Sequence, residues 1–222
     1  MTAIRPAATV VLLRERPQGF ETLLLQRNAA LQFAGGLWVF PGGRVDSEDF
    51  ADAPHDLLAA AQRAAVRETR EETGLDITTC PLQYFAHWTT PEPEPKRYAT
   101  WFFVAAIVLD NDVVVDGSEI LAHRWLTPAA ALAAHRARDL DLLPPTYIAL
   151  AELSTCKTIA EVFAMYRDRP VIEILPKFIK TATGAVALYP GDSGYENADP
   201  LLPGKRHRTT RDKGGWCYEC DV

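Results

Sequence analysis

No stretch of this sequence is long and apolar enough to cross a bilayer. The longest candidate, Trp101 to Leu109, is about half of the roughly 18 to 20 residues that a spanning helix needs. The apolar centre of MTAIRPAATVVLLRERP has no small-residue cleavage pattern behind it. It therefore reads as a first strand rather than a secretory leader, and a cytoplasmic protein with no membrane partner is expected. Basic residues are the minority, 23 Lys and Arg against 29 Asp and Glu, for a net charge of -6. That balance argues against nucleic acid as the partner and leaves room for a local basic pocket that takes a phosphorylated metabolite. Cysteine is scarce, and a chain of 222 residues needs no disulfide staples, so Cys80, Cys156, Cys217 and Cys220 are expected as thiols. Internal repeats and low-complexity segments are absent as well. What remains, 48% hydrophobic and 23% charged, is the balance of an ordinary globular domain with a substantial core.

The β-branched run Ala7 to Arg14 and the segment Glu21 to Gln26, separated by the turn-like Arg16-Pro17-Gln18-Gly19, predict a hairpin. A short strand over Leu37 to Phe40 is expected to stop at Pro41-Gly42-Gly43. Residues 44 to 56 are acidic and loop-like, with Asp46, Glu48, Asp49, Asp52 and Asp56. Leu57 to Thr73 then reads as a helix with Leu58, Ala61, Ala65 and Thr69 on one stripe, Asp56 as its cap and Gly74 as its left-handed stop. Strands are expected over Leu82 to Trp88, Tyr98 to Leu109 and Glu119 to Trp125, the first two parted by Pro91-Glu92-Pro93-Glu94-Pro95. Thr127-Pro128 opens a helix to Arg136, and Asp141 to Leu153 and Ile159 to Tyr166 are two more helical candidates. Beyond Pro170 short strands are expected at Val171 to Leu175 and Ala185 to Leu188.

Three glutamates near the end of the first helix carry the chemistry. Glu68 and Glu72 are one turn apart on one face, and Glu71 lies beside them. Like charges at those spacings repel, so a helix gains nothing from them unless cations sit between the carboxylates; Mg²⁺ takes such hard oxygen ligands. The bland alternative is a solvated acidic turn that pairs with Arg67 or Arg70.

The wider segment, Pro41-Gly42-Gly43, a charged loop, Arg67-Glu68, Glu71-Glu72 and Gly74-Leu75, resembles the Nudix hydrolase signature. The resemblance implies an α/β fold, a Nudix-type α/β/α sandwich with a mixed central sheet and helices on both sides. It implies Mg²⁺ or Mn²⁺ as cofactor, Glu68, Glu71 and Glu72 as metal-binding glutamates, and Arg67 as the arginine that orients one of them. Gly42 and Gly43 correspond to the turn that lets loop and helix pack under the site. In the family the signature arginine stands fourteen positions after the glycine, whereas Arg67 stands twenty-four after Gly43, which implies about ten inserted residues. The first glutamate of the signature, eight before the arginine, falls on Ala59 and is missing; Asp46, Glu48 and Asp49 are the loop acids that remain as replacements. Thr69 stands where the family has an aliphatic residue.

Substrates of the family are typically a nucleoside diphosphate linked to another group, cleaved by water at phosphorus. A small-molecule nucleoside diphosphate derivative is the expected partner. LLLQRNAALQFAGGLWVFPGG is similar to the segment before the signature in coenzyme A diphosphatases and their peroxisomal acyl-CoA relatives, some of which have a lengthened loop after FPGG. Arg27 and Arg44 are chemically suited to phosphate, and an ion-pair role is the alternative for Arg27. Glu119, Glu92 and Glu94 are candidates for an extra ligand or base, against the reading as surface charge. Trp38, Phe40, Trp88, Trp101 and Phe102 are divided by strand alternation between a ligand side and the core, most of them to the core.

The tail holds a Cys217-x-x-Cys220 spacing with His207, one ligand short of a zinc site, and a basic cluster of Lys205, Arg206, Arg208 and Arg211. That cluster either reaches the phosphate pocket or pairs with acidic surface. The expected organisation is a hydrolase domain over residues 1–168 with an extension over 169–222 packed on it, and homodimerisation through such an extension is plausible. The activity expected is divalent-metal-dependent cleavage of a diphosphate linkage. The rival reading is a non-catalytic nucleotide-binding or interaction module on the same scaffold, motivated by the glutamate missing at Ala59.

Overall fold

The computed structural model describes residues 3–50, 55–92, 94–108, 112–182 and 184–221. Asp52 of the acidic loop, Pro93 of the proline-rich turn and Leu109 at the end of an expected strand lie outside the described residues.

Strands β1 (Ile4–Arg16) and β2 (Gly19–Arg27) form the expected hairpin, with Arg16 opposite Gly19. Every residue of β1 from Ala7 to Leu13 is buried. Ala8, Val10 and Leu12 enter one apolar cluster and Val11 and Leu13 the other, so both faces of the strand are covered. The sheet continues through β3 (Trp38–Val39), β4 (Gly42–Arg44), β5 (Gln83–Thr89), β6 (Arg97–Ile107), β7 (Ile120–Leu126) and β8 (Ile172–Ile174). Its order is β3-β2-β1-β6-β5-β8, with β4 beside β1 and β7 beside β2. β1 runs parallel to β6 and β5 parallel to β8, while the other pairs are antiparallel, which makes the sheet mixed.

One face is covered by α1 (Leu57–Thr73), whose small Ala60, Ala61, Ala64 and Ala65 allow close approach to Val10, Leu12, Phe103 and Ala105. Leu58, expected on that stripe, is exposed; the buried face lies nearer Ala60 and Ala64. Asp56 accepts from the Ala59 N–H at 2.9 Å, and Gly74 ends the helix at φ 72. The other face is covered by α2 (Pro128–Arg136), α3 (Pro144–Leu153) and α4 (Ile159–Arg167), through Leu132, Leu150, Leu153 and Val162. The architecture is the expected α/β/α sandwich. Helix α3 begins three residues later than expected, because Pro144 and Pro145 suit a first turn. Asp141 before them stays extended and its carbonyl accepts from Trp38 N–H at 2.9 Å.

The C-terminal residues hold a second, antiparallel sheet, ordered β12-β11-β10-β9, from β9 (Lys177–Thr181), β10 (Gly184–Leu188), β11 (His207–Asp212) and β12 (Gly215–Cys220). β9, β11 and β12 were not anticipated. Ala187, Tyr189 and Trp216 enter the same apolar cluster as α2, α3 and α4. Trp216 Nε1 donates to Leu142 O at 2.9 Å, and Trp216 N–H donates to His135 Nε2 at 3.0 Å.

His135 is fully buried, and its Nδ1 lies 2.9 Å from Leu140 O. With Nε2 accepting, Nδ1 carries the proton and the ring is neutral. Burial pushes the imidazole below its ordinary range, against the Leu140 carbonyl and Asp141. A depressed histidine contributes stability that is complete above about pH 6.5, where the unfolded chain is also neutral, and lost as pH falls. Wild-type protein is therefore expected to lose more stability between pH 7.5 and 5.5 than the His135→Gln variant, at no more than about 1.4 kcal/mol per pH unit. Urea melts at the two pH values measure this; equal losses would remove His135 as the source.

Candidate active site

The sheet splits at β1. Residues Leu13 to Arg16 pair with β2, whereas Ala7 to Thr9 pair with β4, and β2 diverges to meet β7. Across this fork Arg27, at the end of β2, faces Gly42, at the start of β4, and Glu72 from α1 reaches between them. Glu72 Oε2 accepts from the Gly42 N–H at 2.9 Å, and its Oε1 lies 3.9 Å from Arg27 Nη1. The expected stop at Pro41-Gly42-Gly43 is thus also the start of β4. A Cβ on Gly42 would strike the Ala8 carbonyl, and one on Gly43 would fall on the Glu68 carboxylate. Gly42, which also takes φ 152, therefore needs glycine, whereas a side chain at Gly43 would push the Glu68 carboxylate out of place.

Glu72 is 5% exposed. Burial pushes its carboxyl up to about 8; Glu68 and Glu119 add to that effect, and the Gly42 N–H and Arg27 oppose it. Glu119, outside the signature, lies 3.7 Å from Arg27 Nη2. It is carried by a turn in which Asp116 Oδ1 accepts from the N–H groups of Ser118, Glu119 and Ile120.

Arg67 is the hub of the second half of the site. Its Nε and Nη2 grip both oxygens of Asp49 at 3.1 and 2.9 Å, and its Nη1 donates to Glu68 at 2.9 Å and Glu71 at 3.3 Å. Nη2 also donates to Arg44 O at 2.9 Å. Asp49 is 4% exposed, on a single 3-10 turn at Ser47–Phe50 inside the acidic stretch. It accepts in addition from Asp46 N–H at 2.8 Å, while Arg63 donates to the carbonyls of Asp49 and Phe50. The Arg67 guanidinium is raised above its usual value, chiefly by Asp49. Glu68 is raised too, since its burial outweighs what Arg67 gives it. The pair is asymmetric: Arg67 is anchored by Asp49 and steers Glu68, which stays desolvated.

The structure thus brings together Arg27, Gly42, Gly43, Arg67, Glu68, Glu72, Asp49 and Glu119, with Glu71 at the exposed rim. Asp46 lies 3.9 Å from both Arg67 and Arg44 in loose surface contacts. Arg44 is half exposed and offers its carbonyl, not its guanidinium, to Arg67. Glu48 lines a groove along α1 together with Asp49, Arg63, Arg67, Arg70 and Glu71. Glu92 pairs with Arg97 at 2.9 Å and Glu94 is exposed. Among the described residues, no group of three or more His, Cys, Asp or Glu side chains stands ready to hold a metal ion.

Trp38, Phe40, Trp88 and Phe102 are buried in the core, and Trp101 packs on His87 at 4.4 Å. Cys217 and Cys220 are three apart on β12, so alternation sends them to opposite faces and the pair cannot share one ion. His207 is buried with Nδ1 at 2.6 Å from Pro190 O. In the basic cluster, Arg208 is bound by Asp192 within the C-terminal residues and Arg211 by Asp141 ahead of α3, so both are engaged by carboxylates other than those of the fork.

A family model described as the NUDIX domain matches residues 3–144. Acyl-coenzyme A diphosphatase NUDT19 of Gallus gallus is 27% identical over 199 residues, 79% of this chain and 52% of that protein. The putative 8-oxo-dGTP diphosphatase 3 of Mycobacterium tuberculosis is 38% identical over 140 residues, 62% of this chain and 56% of that protein. The chain thus spans about half the length of these curated relatives. The crystal structure of a NUDIX hydrolase from Alicyclobacillus acidocaldarius superposes with a TM-score of 0.65 at 23% identity, covering 74% of this chain and 97% of that one, and shares the fold. With the domain matched over more than half its length, its glycine turn and its Arg67-centred acids in place, this chain belongs to the NUDIX family.

Proposed function

We propose that this chain hydrolyses a diphosphate linkage in a nucleoside diphosphate derivative with Mg²⁺ or Mn²⁺, and that coenzyme A or an acyl-CoA is the first substrate to test. The observation that carries the reading is Glu72, a desolvated carboxylate oriented by a main-chain N–H and facing a guanidinium across an open fork. The coenzyme A preference rests on the likeness to the avian acyl-coenzyme A diphosphatase and on the segment from Leu23 to Gly43.

The donor chemistry fits a hard divalent cation. Glu68, Glu71 and Glu72 offer carboxylate oxygens alone; Glu71 raises the cost of ionising Glu68, and Glu68 that of Glu72, which a cation relieves. When bound, such an ion neutralises diphosphate charge and polarises the P–O bond to be broken. The chain's own residues do the rest. Asp49 fixes Arg67, Arg67 holds Glu68 and Glu71 in orientation, and Gly42 N–H orients Glu72. Arg27 is placed to exchange its long contacts with Glu72 and Glu119 for phosphate oxygens. Glu119 or Glu72 is the carboxylate that takes the proton of the attacking water. We further propose that residues 1–168 form the hydrolase unit and residues 169–222 an extension packed on it, through which two copies can pair.

Its two-point contact with Arg67 supports Asp49 as the acid that stands in for the glutamate missing at Ala59. Asp49→Asn is expected to lower kcat about 10- to 100-fold while KM stays within about threefold, because Arg67 loses its two-point anchor and Glu68 its orientation. Steady-state kinetics beside a thermal melt measures this; unchanged kcat would return the anchor role to Asp46 or Glu48. The reading as a whole is tested with coenzyme A, acyl-CoA, ADP-ribose, NADH and dinucleoside polyphosphates, with products resolved by mass. Hydrolysis that requires added Mg²⁺ or Mn²⁺ is expected; tight binding without turnover across the panel would overturn it.

A further inference from the structure

The ten residues between β2 and β3 build a compact loop beside the fork. Arg27 N–H donates to Leu37 O, Gly36 N–H returns to Arg27 O, and Leu37 N–H reaches Ala34 O, each at 3.0 to 3.1 Å. Inside it, Leu31 N–H donates to Asn28 O and Ala30 N–H to Asn28 Oδ1. Gly35 sits so close to the carbonyls of Leu31 and Ala29 that no side chain fits, and Ala34 takes φ 52. Main-chain hydrogen bonds hold the loop together with the Asn28 side chain, whose Nδ2 also donates to Ser118 O at 2.9 Å.

At the tip, Phe33 is 37% exposed. Its ring meets Tyr98, on β6, edge to face with centroids 5.0 Å apart. Tyr98 is itself fixed, since its N–H donates to Thr90 Oγ1 and its carbonyl accepts from Thr90 N–H. The loop is tied to the acids through one side chain: Arg27 Nε lies 3.4 Å from Phe33 O, while its two terminal nitrogens face Glu72 and Glu119. A single guanidinium thus links the main chain of Phe33 to the buried carboxylate. The aromatics nearest in sequence to the glycine turn, Trp38 and Phe40, are buried and have no face to offer.

From this arrangement we propose that Phe33 and Tyr98 form a stacking shelf for the nucleobase of the substrate, placing the diphosphate on Arg27 at the fork. The proposal rests on the diphosphate reading of the site and adds which end of the substrate lies where. An exposed ring on a loop that is already rigid orders little on binding, so stacking of a planar base is gained at low entropic cost. Base–aromatic stacking of this kind corresponds to about tenfold or more in affinity per base.

The test compares AMP with ribose 5-phosphate, which share a phosphate and differ in the base, by calorimetry on the wild-type chain and on Phe33→Ala, Phe33→Leu and Phe33→Trp. AMP affinity is expected to fall about tenfold or more in Phe33→Ala and Phe33→Leu and to survive in Phe33→Trp, with ribose 5-phosphate unchanged throughout. Phe33→Leu keeps apolar bulk at the tip, so a loss there speaks for the ring face rather than for loop collapse, and thermal melts check each variant. Equal effects on both ligands, no effect on either, or no AMP binding by wild type would each overturn the shelf. Base-dependent binding together with no hydrolysis of any diphosphate would leave the shelf standing and overturn the hydrolase reading instead.

Discussion

Glu72→Gln is expected to lower kcat about a thousandfold, within the range for removal of a carboxylate that handles protons or charge at the reacting centre. The substitution keeps the shape of the side chain and an acceptor oxygen for the Gly42 N–H. It removes the negative charge that faces Arg27 and crowds Glu68. Folding loses little, because burial already pushes the Glu72 carboxyl up to about 8 and the amide is a neutral group of the same shape. The melting temperature is therefore expected to stay nearly level while activity collapses. Purified variant protein, assayed with saturating Mn²⁺ and melted in parallel, measures both; turnover within tenfold of wild type would exclude Glu72 from the chemistry.

The second large effect falls on stability. Asp192 has no exposed side-chain surface and accepts from Arg208 Nε and Nη2 at 2.7 and 2.6 Å, from His207 N–H at 2.9 Å and from Gly194 N–H at 2.8 Å. Asp192→Ala strands a 7% exposed guanidinium and two N–H donors, so a loss of about 3 to 5 kcal/mol is expected. Because Arg208 also donates to Pro200 O, and because Tyr189 and Thr209 bond beside it, the damage should spread through β10 and β11. Burial raises the Asp192 carboxyl, but Arg208 and the two N–H donors outweigh that and bring it to about 2. A depressed carboxylate stabilises the fold above its unfolded value near 3.9 and loses that contribution as pH falls through about 2. Chemical denaturation of wild type and variant at pH 7 and pH 3 reads both parts. A loss under about 1 kcal/mol at pH 7 would mean that the second sheet adds little to the stability of the whole.

Much of the local structure was legible. α1 announced itself through its alanine period, Asp56 before it and Gly74 after it, and its bounds are the expected ones. The β1–β2 hairpin followed from one turn, and the spacing of Glu68, Glu71 and Glu72 required all three to ride one helix end. Local signals failed where charge hid alternation: HRTTRD reads as a basic cluster and GWCYEC as a metal spacing, yet both are strands, paired across the turn at Lys213 and Gly214. The aromatics went mostly to the core, as expected, although the sequence did not say which of them would. Strand period alone does not say which face a helix will cover, and the core took Trp38, Phe40, Trp88 and Phe102.

The sequence by itself determined most elements ahead of the tail, the family and the placing of three glutamates on one helix end, because each depends on residues a few positions apart, where propensity, capping and spacing act directly. Tertiary structure alone decided that Asp49 grips Arg67, that Arg27 and Glu119 arrive at Glu72, and that Arg208 and Arg211 are taken by Asp192 and Asp141. Those contacts follow from strand registers, from the fork at β1 and from burial. Coulomb and hydrogen-bond forces select a partner only after packing has brought the candidates within reach.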